Sequence, residues 1–198
     1  MVALIMALTV HEYAHAKSAE LAGDDTAKFA GRVSLNPLDH LDPIGTLMMA
    51  FMAIGGMGIG WAKPVPVNPF RMRHPRWDNV KVSLWGPLSN LTFALGVGLL
   101  VRILPDAVVQ EYRLLIVLVR VNLSLAMFNL IPIAPLDGSH ILSGLLPADA
   151  ARSYERFMGQ YGMLLLLGLI FVGGDLLWAV IGPPMHFLFT LFTGWSLY

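Results

Sequence analysis

Five stretches of this chain are apolar enough and long enough to enter a lipid bilayer, and no other feature limits its fold so sharply. They cover roughly residues 1–22, 44–62, 80–104, 114–135 and 160–181. A helix needs about 20 such residues to cross the hydrocarbon core. A sixth stretch, 185–198, is short for a span and is read as interfacial. Backbone in lipid must satisfy its own hydrogen bonds, which leaves helices as the simplest solution for runs of this length. The expected fold is therefore an all-α polytopic membrane protein, one domain over residues 1–198. Composition agrees: charged residues make up 13% of the chain, about half the ~25% of an ordinary soluble domain. The formal net charge is zero, so no nucleic-acid partner is expected. Cysteine is absent, so any metal must be held by His, Asp or Glu.

Residues 1–10 carry no leading basic residues and no small-residue cleavage site, so they read as a membrane helix rather than a signal peptide. Segment 44–62 has five glycines, four of them within residues 55–60, and invites a turn as much as a span. Charge favours the turn. Lys17, Lys28 and Arg32 precede it; Lys63, Arg71, Arg73, Arg76 and Lys81 follow it. Short basic loops stay in the cytoplasm, and only a re-entrant or hairpin 44–62 keeps both loops there. Helix 1–22 then runs inward, 80–104 outward, 114–135 inward and 160–181 outward. Arg152 and Arg156 fall inside, whereas Arg102 and Arg113 fall near the outer side, against the trend. Trp61, Trp77, Trp85 and Trp178 are possible interfacial anchors.

The chemistry concentrates in His11-Glu12-Tyr13-Ala14-His15, an HExxH. Positions i and i+4 of a helix share a face, so both imidazoles can reach one Zn²⁺, with Glu12 beside them to accept a proton from water. His11 stands ~15 Å along a helix begun at Met1, near mid-membrane. Ionisable groups at that depth are costly and point to function. A catalytic zinc site needs a third protein ligand and one open position.

Asp137 is the leading third ligand. It follows Pro132 and Pro135, which break the helix at the end of an apolar run. Its other reading is an N-cap for the helix after Gly138. His140, one turn further on, is either a helper of Asp137 or an ordinary interfacial histidine. Asp175 is a membrane-embedded acid or a surface one, and the cluster Asp39, His40 and Asp42 reads as turn chemistry. Val65 and Val67 alternate with prolines, which fits an edge strand able to take a substrate by strand addition, or a Pro-rich surface loop.

The HExxH, together with Asn129 eight residues before Asp137-Gly138, resembles the site-2 protease family of intramembrane zinc metalloproteases. So do Asn36-Pro37-Leu38-Asp39-His40, Gly60 to Pro69, and Gly86-Pro87-Leu88-Ser89-Asn90. The likeness covers nearly the whole chain and is to the small prokaryotic members without PDZ-like or CBS modules. It implies a three-helix catalytic core (1–22, 80–104, 114–135) plus the re-entrant segment and one or two C-terminal membrane helices. It implies His11, His15 and Asp137 as ligands of one Zn²⁺, Glu12 as general base and Asn129 as a carbonyl or oxyanion partner. Gly86 and Asn90 would serve close helix packing. The implied activity is hydrolysis of transmembrane protein substrates in the plasma membrane of a prokaryote, with the site toward the cytoplasm. The alternative is a non-proteolytic membrane scaffold or transporter with a zinc site. No pattern sets an oligomeric state.

Overall fold

The computed structural model describes residues 1–54, 60–111 and 113–196. Among them the regular structure is helical: α1 (Val2–Ala22), α2 (Thr26–Phe29), α3 (Pro43–Ala53), α4 (Pro75–Ile103), α5 (Asp106–Glu111), α6 (Leu114–Asn129), α7 (Asp137–Leu145), α8 (Ala148–Phe171) and α9 (Gly174–Thr193). The protein is an all-α membrane protein. By length and composition α4 and α9 can each cross a membrane, and α6 is a shorter apolar helix of 16 residues. Leu99, Leu100 and Ile103 on α4, and Val180, Phe187 and Leu191 on α9, are exposed, as an apolar surface facing lipid should be.

Contacts fix the helix directions. Along α1 and α4, Asn90 meets Ala7 and His11, the Val82 carbonyl meets His15, and the Arg73 amide meets the Ala22 carbonyl. Rising numbers on one helix match falling numbers on the other, so the two are antiparallel. Asn90 also bonds to Asn122 of α6. A short connection joins α4 to α6, which therefore runs back parallel to α1. On α9, Phe189 packs with Ala94 and Val119, Phe192 presses on Gly98, and the Leu191 carbonyl accepts from Arg102. Hence α9 runs parallel to α4. The buried core of Ala94, Val119, Leu123, Met185 and Phe189 fills the space between α4, α6 and α9.

Segment 44–62 turns back. Residues 55–59 lie outside the described residues, but the flanks on either side of them meet. Leu41 pairs antiparallel with Ala62, the Lys63 amide donates to the His40 carbonyl at 2.8 Å, and Gly60 lies against Met49. Glycine favours this approach, since a Cβ at position 60 would stand 2.1 Å from Met49 Cγ and displace that side chain.

The C-terminal path corrects the expected one. The apolar run 160–181 is not one helix, because the chain breaks at Val172 and Gly173 and α9 continues through Pro183 and Pro184 to Thr193. Hydropathy alone does not see a break between apolar residues. The two prolines, which suggest an end, sit inside a helix that membrane proteins tolerate. The helix of this region that is long and apolar enough to cross is α9, which absorbs most of the stretch 185–198 read as interfacial. α8 follows α7, which packs on the start of α4 (Gly144 against Val80), and α9 begins on that same side. Both ends of α8 therefore lie on one side of the bundle.

The core helices also differ at their ends. α4 begins at Pro75, where the Asp78 carboxylate accepts the His74 amide at 2.8 Å. α6 ends at Asn129, and residues 130–136 form an irregular turn containing Pro132 and Pro135.

Candidate metal centre

On α1, His11 and His15 project from one face toward α4, and both are buried. Each ring is held through Nδ1: His11 by Asn90 Oδ1 at 2.7 Å, His15 by the Val82 carbonyl at 2.8 Å. A carbonyl only accepts, so His15 Nδ1 carries a proton. The His11 case follows from a chain of amides. Asn122 donates to the Leu118 carbonyl, which turns its Oδ1 toward Asn90. Asn90 Nδ2 donates to that oxygen and to the Ala7 carbonyl, so Asn90 Oδ1 faces His11 and must receive a proton from it. Both imidazoles, when neutral, thus present a bare lone pair at Nε2. The two Nε2 atoms are only 3.0 Å apart.

Asp137 completes the group. The alternative reading of Asp137 as an N-cap does not hold: Leu136 is the cap, and Asp137 opens α7 with its carboxylate turned to the histidines. Its Oδ2 is 3.2 Å from His11 Nε2 and its Oδ1 is 3.3 Å from His15 Nε2. Oδ2 is buried with no hydrogen-bond partner. Two lone pairs and a carboxylate converging without donors between them repel unless a cation lies among them. Their ligand atoms fall within 4.8 Å of one another, so the three residues could hold a metal ion. Zn²⁺ fits this N₂O set, which is a usual composition for catalytic zinc.

Close approach is built in by glycine. A Cβ on Gly86 would lie 2.3 Å from His15 Nε2 and 2.7 Å from His11 Cε1. A Cβ on Gly138 would lie 2.3 Å from the Leu130 carbonyl oxygen, so α7 can begin against the broken turn only with glycine there.

Glu12 lines the same cavity, of about 540 Å³, and its Oε2 accepts the Val65 amide at 3.0 Å. Val65 and Val67 also line it. Residues 63–68 form no ladder and no other regular structure; they run as a single stretch, held at one end by Leu41 and His40 and at the other by Asp24, which accepts the Asn68 amide at 2.6 Å just before the 3-10 turn Pro69–Arg71. Asn129 lines the cavity with its Nδ2 on the Leu125 carbonyl at 2.9 Å. His140 lines it too, one turn beyond Asp137, and hydrogen-bonds to none of the three converging residues. In the loop cluster Asp42 accepts the Gly45 amide and neighbouring Asn36 the Leu38 amide, as turns do, whereas His40 is buried with its Nε2 donating to the Ser34 carbonyl at 2.7 Å. Asp175 lies in the first turn of α9, away from the cavity.

Sequence reasoning missed the residues that orient the rings. Asn90 was assigned to packing, and Asn122 was passed over. The signal was present, since an amide side chain inside an apolar helix must find a partner.

A family model, Peptidase family M50, matches residues 105–172. YwhC of Bacillus subtilis, whose name places it provisionally among the zinc metalloproteases, is 36% identical over 98% of this chain and 90% of its own length. Two mycobacterial proteins with the same kind of name are more distant. Rip2 of Mycobacterium tuberculosis is 30% identical over 83% of this chain and 63% of its own. Rip2 of Mycolicibacterium smegmatis is 29% identical over 84% and 64%. No solved structure matches. Near-full-length similarity to YwhC and the family match together make this chain a member of peptidase family M50.

Proposed function

We propose that the chain is an intramembrane zinc metalloendopeptidase of the site-2 type, which hydrolyses peptide bonds in or near transmembrane segments of other membrane proteins. The convergence of His11 Nε2, His15 Nε2 and the Asp137 carboxylate beside Glu12 carries this reading. These three side chains would hold one Zn²⁺ per chain, and with three ligands the ion keeps a position open. When bound, the ion acidifies water toward neutral pH and polarises the scissile carbonyl. Glu12 accepts the proton from the attacking water and returns it to the leaving amine. The Val65 amide on Oε2 fixes that carboxylate and leaves Oε1 to carry the proton. Asn129 supports the developing oxyanion by exchanging the Leu125 carbonyl for it. The stretch with Val65 and Val67 accepts the substrate as an added strand, unwinding the helix that would otherwise hide its carbonyls.

Basic residues around 17–32 and 63–81, with Arg152 and Arg156, support a site whose mouth opens on the cytoplasmic side. The bacterial relatives agree with the plasma membrane of a prokaryote. The test is cleavage of a panel of single-span membrane substrates by the purified wild type and by Glu12→Gln, with zinc measured in both. Cleavage by wild type alone, with zinc in both proteins, is the expected result. Zinc in both and cleavage by neither favours a scaffold or transporter instead.

A further inference from the structure

The cavity around the metal centre does not end there. A second cavity of about 370 Å³ lies between the start of α4, α7 and α8, and it shares the wall residues Pro69, Asn79, His140 and Glu155 with the first. Pro69 follows the stretch that passes Glu12 and opens a 3-10 turn. A peptide laid along that segment therefore leaves the metal centre and enters the second cavity after about four residues, at ~3.3 Å each.

The charges there are unequal. Around the metal centre, Glu12 and Asp137 together balance a divalent ion. In the second cavity, both guanidinium groups have partners other than Glu155, although the charge of Arg76, held on carbonyls, stays in place. Arg76 donates to the carbonyls of Gly144 at 2.7 Å and Leu146 at 2.6 Å, capping α7, and Arg152 is paired with Asp149. Glu155 accepts from the Ser143 hydroxyl and, among the described residues, has no ion-pair partner. It is an exposed carboxylate on the wall of both cavities, at the end where the substrate's cytoplasmic flank emerges.

We propose that Glu155 reads the substrate: it pairs with a Lys or Arg about four residues to the cytoplasmic side of the scissile bond. Membrane segments carry such residues at their cytoplasmic ends, so this carboxylate selects the kind of flank that correctly oriented substrates present. The inference rests on the protease reading above.

The experiment compares substrates that differ only in that flank, carrying Lys, Gln or Glu, with wild type, Glu155→Gln, Glu155→Lys and Ser143→Ala. Wild type is expected to prefer the Lys flank over the Glu flank by roughly three- to fivefold in kcat/KM, the upper range for an exposed ion pair, and less at high salt. Glu155→Gln abolishes the preference and Glu155→Lys inverts it. Ser143→Ala keeps it, because the charge remains. Cleavage that depends on Glu12 but ignores the flank, or a preference unchanged in Glu155→Lys, overturns the role of Glu155 alone. Cleavage of no substrate overturns the protease reading beneath it.

Discussion

Replacing Gly86 with alanine tests the metal centre without touching a ligand. The added Cβ would stand 2.3 Å from His15 Nε2, 2.5 Å from His15 Cε1 and 2.7 Å from His11 Cε1. Ordinary contact begins at roughly 3.5 Å, so His15 Nε2 has to retreat by roughly 1.2 Å. Metal–ligand distances tolerate about 0.2 Å. The rings cannot simply swing aside, because Asn90 Oδ1 holds one and the Val82 carbonyl holds the other. Loss of a partner outside the ligands typically costs 10–100-fold in metal affinity. A displacement several times the tolerance should cost at least about 100-fold, or ~2.7 kcal/mol. The assay is zinc retention by purified protein against a graded series of chelator concentrations. Gly96→Ala is the control on the same helix, where a Cβ meets nothing within 4 Å. It should retain zinc like wild type and gain slightly from the better helix former. Equal zinc retention by Gly86→Ala and Gly96→Ala would refute the geometry from which the displacement was worked.

Asn90→Ala strands the proton on His11 Nδ1 in a buried site, and zinc titration should show binding weakened about 10–100-fold. Asn90→Asp restores the acceptor and should recover part of the loss. Val65→Pro removes the amide that Glu12 accepts and interrupts the stretch beside it, so cleavage should fall while zinc content stays; undiminished cleavage would sink strand addition. Asp24 provides a pH signature. Burial pushes its carboxyl up, but hydrogen bonds from Thr26 and the Asn68 amide, with Arg71 nearby, outweigh that and hold it below the usual value of 3.8. A depressed acid stabilises the fold fully above its unfolded value and loses that contribution as pH falls through the folded one. The difference in Tm between wild type and Asp24→Asn should therefore be steady from neutral pH to about 5 and shrink below 3.8; a gap that widens in acid contradicts the assignment.

Much of this could be read from the residues because the relevant physics is local. HExxH works through helical spacing, and Pro132 with Pro135 announces unwound chain before Asp137 whatever surrounds it. The hairpin at 44–62 followed from the charges on either side of it, and Leu41 beside Ala62 bears that out. The support of the histidines was hidden because it is made across helices. Whether Asn90 meets His11 depends on the rotation and register of α4 against α1, which no spacing within either helix records. The division of 160–181 was hidden for another reason. Gly173 and Gly174 are uncharged residues inside a long apolar run, so the break changes direction while the hydropathy averaged over the run stays high.

The break before Asp137 also explains why α8 does not cross with its neighbours. Asp137 has to reach the level of His11 and His15, yet α6 stops at Asn129; the intervening turn satisfies its Ile131 and Ile133 carbonyls itself and its Leu136 carbonyl through Ser139 of α7, which leaves the Pro132 carbonyl to a partner from outside the turn. At membrane depth each such group is costly unless protein receives it. α8 supplies the reception. Tyr154 donates its hydroxyl to the Pro132 carbonyl at 2.8 Å, Gly162 lets the helix lie against Ala134, and Leu166 packs with Ile131 and Leu136. A helix that crossed beside α9 could not lie along this turn. α8 thus trades a span for a supporting role, and the same helix carries Glu155 on the wall of the cavity. The element that steadies the third ligand is therefore also the one placed to sense the substrate's flank, so substitutions in α8 should separate by position. Those facing residues 130–136 should act on zinc, and those facing the cavity should act on substrate choice.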